Sequence, residues 1–138
     1  MRLYNIYGRL QNKEVSRFLI KWNKKSRSKV QFAVKKFLEP YWKGHVVYEE
    51  FPVFGSRMKV DIVNMTKKIA IEVQGSQHSS FNAFFHNNSR AKYLESIKRD
   101  VKKAQWLEKN NFNFIEIDEK EAYKLSKEFF KEKFDLVL

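Results

Sequence analysis

The reading of this chain turns on KVDIVN (Lys59–Asn64), a short break at Met65–Lys68, and IAIEVQGSQH (Ile69–His78). Side chains alternate faces along a strand, so Asp61 points away from Val60 and Ile62, and Glu72 and Gln74 point away from Ile71 and Val73. Joined as a hairpin, the two strands put two carboxylates on one face of a sheet. A carboxylate on a covered sheet face is costly unless a cation or a metal meets it. The hairpin therefore carries the fold and also marks its chemistry.

Outward from the hairpin, the hydrophobic spacing outlines the other elements. Residues 12–22 (NKEVSRFLIKW) set Val15, Phe18, Leu19 and Trp22 at helical intervals. A second helix is expected from a Ser26 or Ser28 cap through Val30, Val34, Phe37 and Leu38 towards Pro40. HVVYEEFPVFG reads as a strand centred on Val46–Phe51, with Pro52 marking an edge. Beyond the polar run after Gln74, Arg90–Asn110 reads as a helix with Leu94, Ile97, Val101, Ala104 and Leu107 on one face. FNFIEID is then a fourth strand, and Glu119–Phe134 a closing helix. The fold class is α/β: one domain with a central mixed four-stranded sheet flanked by helices. Within it, residues 1–25 are expected to form a basic helical extension, 26–117 the core and 118–138 a C-terminal helix.

At 138 residues, 43% of them hydrophobic, the chain suits a single core. No run approaches the ~18–20 apolar residues of a membrane span, and MRLYNIYGRLQNKE does not read as a secretory signal, so the cytoplasm is the expected compartment. Zero cysteines exclude disulfides, thiolate metal sites and cysteine nucleophiles, which leaves oxygen ligands for a metal. The formal net charge is +12, and residues 1–114 hold 23 basic against 9 acidic side chains. Between Val15 and Leu38 there are eight Lys and Arg and no acidic residue. Such a surface suits a polyanion through phosphate neutralisation and counterion release; Lys21, Lys24, Lys25, Arg27 and Lys29 are its candidate contacts. The plainer alternative is a solvated lysine-rich face.

Asp61, ten intervening residues, Glu72-Val73-Gln74, then Gly75, Ser76, Gln77 and His78, together with RDVKKAQWLEKNNFNFIEI (Arg99–Ile117), resemble the PD-(D/E)xK nuclease superfamily. The likeness is to the branch of very-short-patch-repair-like and small phage or homing endonucleases, and covers about Ser26 to Ile117. It implies a restriction-endonuclease-like fold and a Mg²⁺- or Mn²⁺-dependent endodeoxyribonuclease, either homing and site-specific or junction-resolving, in a bacterium or phage-infected host. By this resemblance Asp61, Glu72 and the backbone carbonyl of Val73 bind the metal. His78 acts as a general base or binds phosphate, and Asp100 and Lys103 assist.

Two departures stand out. Gln74 occupies the place of the usual Lys, where an amide can orient a water or a phosphate without supplying charge. Lys103 is the first candidate to replace that charge, since it lies three residues from Asp100 on one helix face, and Lys59 is the second. Where related families place a helix Glu, this chain has Gln31; a third acid remains open among Glu39, Glu49 and Glu50.

The implied partner is double-stranded or branched DNA, and cutting both strands with so small a core suggests a homodimer. The alternative is a non-catalytic nucleic-acid-binding protein on a decayed nuclease fold, suggested by the missing motif Lys and the overall charge. For the hairpin by itself, the plainer reading is that Asp61 and Glu72 form surface salt bridges with Lys59 or Lys68. Phe81, Phe84 and Phe85 are expected to cover the sheet or pack on the long helix, with base stacking as their alternative role.

Overall fold

The computed structural model describes residues 1–75 and 90–138. The sheet is mixed, as expected: β3 (Val47–Pro52), β4 (Lys59–Asn64), β5 (Ile69–Gln74) and β6 (Asn113–Asp118) lie side by side in that order. β3, β4 and β5 are antiparallel, and β6 joins β5 in parallel. The parallel step requires a crossover, and helix α2 (Arg90–Lys109) lies in it.

Helix α1 (Lys29–Trp42) starts where Ser28 Oγ accepts the Gln31 amide at 3.1 Å. Val30, Val34, Leu38 and Trp42 recur every four residues and bury one stripe against Ile62, Ile69, Ile71, Ile115 and Ile117. Each such side chain contributes about 1.5–3 kcal/mol when taken out of water. The helix runs past Pro40 to Trp42, further than the proline suggests.

Two expectations are corrected. The N-terminal segment is not helical: β1 (Arg2–Tyr4) and β2 (Leu10–Asn12) form a hairpin, and only Ser16–Phe18 makes a 3₁₀ turn. Gly8 takes a positive φ of 79°, and the Asn5 side chain accepts the amides of Tyr7 and Arg9, which closes the hairpin. After the 3₁₀ turn the chain is drawn out along the edge of β3. Leu19 bridges Tyr48, and the Ile20 amide donates to the Val47 carbonyl at 2.9 Å. Covering an exposed sheet edge outweighs the helical spacing of Val15, Phe18 and Leu19. The C-terminal helix is likewise two helices, α3 (Glu119–Ala122) and α4 (Lys127–Phe134), because Ser126 caps a new start by accepting the Phe129 amide.

The N-terminal hairpin and α2 cover the opposite face of the sheet. Trp106 and Leu107 are buried there with Val63 and Ala70. Tyr4 ties the hairpin to α2: its amide donates to Asn110 Oδ1 at 2.8 Å, and its carbonyl accepts from Trp106 Nε1 at 2.6 Å. Towards its N-terminus α2 is less covered than its apolar spacing suggests. Leu94, Ile97 and Val101 are 47%, 41% and 48% exposed.

Candidate active site

The sheet register sets a row of acids across four strands. The pairs Glu49 with Ile62 and Phe51 with Val60 put Glu50 opposite Asp61. β4 and β5 are last paired at Ile62 and Ile71, so Asp61 and Glu72 are the next residues along the two strands. Glu72 in turn is paired with Glu116 on β6. Opposed residues share a face, and this is the face under α2. All four acids line one cleft of about 780 Å³, with Arg27 and Arg57 at its rim and Asp100 and Lys103 contributed by α2.

Each acid has a neighbour that offsets it. Asp61, 4% exposed, accepts the Val73 amide at 2.8 Å through Oδ2 and lies 3.5 Å from the Arg27 guanidinium through Oδ1. The amide contact continues the hairpin beyond its last paired residues with a side chain in place of a backbone acceptor. Glu72 Oε1 accepts from Lys103 Nζ. Glu50 Oε1 lies 3.7 Å from Arg27 Nε and accepts from Gln31 Nε2 at 3.3 Å. Glu116 accepts from Gln74 Nε2 at 2.8 Å. The pairings imagined for Asp61 and Glu72 with Lys59 or Lys68 are not the ones present among the described residues. Lys59 lines the cleft, whereas Lys68 lies over the Phe112 ring at 4.2 Å.

The charge balance is incomplete. Burial, then the neighbouring Asp61 carboxylate, push the Glu72 carboxyl up to about 8 although Lys103 pulls the other way. Burial and Asp61 also raise Glu50. Two adjoining, partly desolvated carboxylates favour an added cation, and their hard oxygen donors suit Mg²⁺ or Mn²⁺. Among the described residues no group of three or more His, Cys, Asp or Glu forms a metal cage by itself. A Mg²⁺ ion that keeps several waters needs only one or two carboxylates, so Asp61 and Glu72 fit it.

Most of the residues singled out in the sequence meet here: Asp61, Glu72, Val73, Gln74, Asp100, Lys103 and Lys59 all line the cleft. The Gln74 amide, however, is turned to Glu116 and not towards Asp61. His78, Phe81, Phe84 and Phe85 lie outside the described residues. Of the open third acids, Glu50 is in the cleft. Glu39 pairs with Lys36 at 2.7 Å, and Glu49 is held by Lys35, Ser26 and Gln31. Among the basic residues, Arg27 reaches the acids, while Lys21, Lys24 and Lys25 line a smaller neighbouring cleft. Lys29 is exposed at the start of α1.

Two features escaped sequence reasoning. Glu50 has a positive φ of 53°, rare for a residue other than glycine and typical of functional sites. Lys35 is wholly buried on α1, where Nζ donates to Glu49 Oε1 at 2.9 Å and to the Lys24 carbonyl at 2.7 Å. The absence of acids between Val15 and Leu38 had made Lys35 look like part of a solvated basic face.

A viral protein resembles this chain in sequence. Uncharacterized protein 033L of Invertebrate iridescent virus 3 is 29% identical over 99 residues, an alignment that takes in 68% of this chain and 50% of that protein. The chain thus spans about half the length of that relative. No family model and no solved structure matches. Among the described residues no helix is long and apolar enough to cross a membrane.

Proposed function

We propose that this chain is a Mg²⁺- or Mn²⁺-dependent DNA endonuclease built on a PD-(D/E)xK-like core. The observation that carries this reading is the adjacency of Asp61 and Glu72 on one sheet face, with Lys103 on Glu72, inside a cleft rimmed by Arg27 and Arg57. Asp61 and Glu72 would hold the metal together with waters, substrate oxygens and, by resemblance, the Val73 carbonyl. A metal bound there would offset charge on the phosphoryl oxygens and lower the pKa of an attacking water. Lys103 supplies the positive charge that Gln74 lacks, while Arg27 and the basic residues preceding α1 attract the phosphate backbone. Asp100 faces the same cleft, and His78 remains a candidate base. Two copies would act on the two strands of duplex or branched DNA in the cytoplasm, each site addressing one phosphodiester.

A second reading, DNA binding without catalysis, is favoured by the Gln74 amide being engaged by Glu116 and by both metal-site carboxylates already having a cation beside them. Incubation of the protein with supercoiled, linear and four-way-junction DNA, with and without Mg²⁺ or Mn²⁺, separates the two. Metal-dependent cutting that Asp61→Asn and Glu72→Gln both abolish, with binding retained, is the expected result. Binding without cutting under every condition would leave the non-catalytic reading.

A further inference from the structure

Beside the catalytic cleft lies a second one of about 250 Å³, and the two share Arg27 and Glu50. Arg17, Lys21, Lys24 and Lys25 line it, and none of these four is ion-paired among the described residues. The acids at its wall are committed elsewhere: Glu49 accepts from Lys35, Ser26 and Gln31, and Glu50 faces Arg27. Uncompensated positive charge in a concave site attracts an anion. The site is also held in shape from below. Lys35, wholly buried, grips the Lys24 carbonyl, and Ser26 Oγ donates to Glu49 at 2.5 Å, so the segment carrying Lys24 and Lys25 is fastened to α1 and β3.

Its remaining walls are apolar. Phe18 lies under the Arg17 guanidinium at 4.8 Å, and Leu19 is 46% exposed. The cleft is smaller than the ~300–1,000 Å³ of self-contained ligand pockets, so it suits one unit of a polymer better than a free small molecule. Arg27 and Glu50 border both clefts, so the two adjoin.

We propose that the second cleft is a subsite for one nucleotide of the DNA strand whose phosphodiester lies against Asp61 and Glu72. Its phosphate meets Arg17, Lys21, Lys24 and Lys25, and its sugar or base rests on Phe18 and Leu19. The assignment rests on the nuclease reading of the first cleft and extends it to the neighbouring nucleotide.

Titration of the metal-free protein with the trinucleotide d(TpTpT), followed by backbone amide shifts, tests it. The amides of Phe18, Leu19 and Ser26 are expected to move together with those of Val73 and Gln74. The surface variant Arg17→Gln/Lys24→Gln should bind about tenfold or more weaker. Its log affinity should depend less steeply on log salt, by roughly 0.7 per lost single-strand contact. Leu19→Ser should weaken binding with the salt slope unchanged. Shifts confined to Val73 and Gln74, no shift at all, or an unaltered affinity in the double variant would overturn the subsite. A parallel cleavage assay with Mg²⁺ keeps the two proposals apart. Cutting with a silent second cleft removes only the subsite, and trinucleotide shifts in both clefts without any cutting remove only the nuclease.

Discussion

Lys103 Nζ on α2 donates to Glu72 Oε1 on β5, across 31 residues of sequence, and both side chains are largely withdrawn from water. The anchoring of α2 to the N-terminal hairpin through Tyr4, Trp106 and Asn110 fixes the helix end nearest this pair. Preorganised charge aimed at a phosphoryl group is usually the largest catalytic contribution, and losing one such donor costs on the order of a hundredfold or more in rate. Lys103→Ala should therefore slow single-turnover cleavage by about that factor with little change in DNA affinity. Lys59→Ala, at the cleft edge without a carboxylate partner among the described residues, should cost far less. The opposite ranking would move the compensating charge to β4.

Arg27 sits 3.5 Å from Asp61 and 3.7 Å from Glu50, with its side chain 70% exposed, so it is well placed to leave those acids for a phosphate. Its removal should act with opposite signs on two ligands. Arg27→Gln should weaken DNA binding and lower the salt slope by roughly 0.9 for one lost duplex contact. The same change removes a cation that competes with a metal, so Mn²⁺ should bind tighter in calorimetry. A variant that binds both ligands less well would make Arg27 structural.

The parity of Asp61 and Glu72 was legible in the sequence because strand alternation is a local rule: each stands between apolar neighbours that point the other way. Lys103 could be nominated from its spacing to Asp100, although nothing local showed that it would meet Glu72. A helix over residues 12–22 is expected because Val15 and Phe18 have the spacing of one helical turn, while the pull of the β3 edge on Leu19 and Ile20 is a long-range effect. Arg27 beside Asp61 and Lys35 beside Glu49 are likewise contacts between distant segments. The left-handed backbone of Glu50 is contrary to its residue preference, so composition could not reveal it.

Lys35 and Glu49 form a pair whose lysine has no exposed surface. Removing one partner of a buried pair strands the other charge, at about 3–5 kcal/mol. Lys35→Met is expected to lose roughly that much in urea denaturation. Lys35→Met/Glu49→Leu should recover part of the loss, because no charge is then left unpaired. Equal losses in the single and double variants would show that the Lys24 carbonyl, and not Glu49, is the partner that matters.

The raised carboxyl of Glu72 ties stability to pH and to metal in opposite directions. An unfolded Glu loses its proton near 4.5, whereas in the fold Glu72 keeps it up to about 8, because burial and Asp61 disfavour the anion. Between those values the folded state holds the extra proton. This contribution is thus fully present below about 4.5 and is lost as pH rises through about 8. In EDTA the Tm should fall across that window, by roughly 2–4 °C for each ~1 kcal/mol lost. Glu72→Gln should flatten the fall and be the more stable protein at the alkaline end. A divalent ion needs the deprotonated carboxylates, so Mg²⁺ should raise the wild-type Tm most where the metal-free protein is weakest. Its effect should shrink towards acid pH and disappear in Asp61→Asn and Glu72→Gln. A Mg²⁺ shift of the same size in both variants, or one independent of pH, would place the ion away from these two carboxylates.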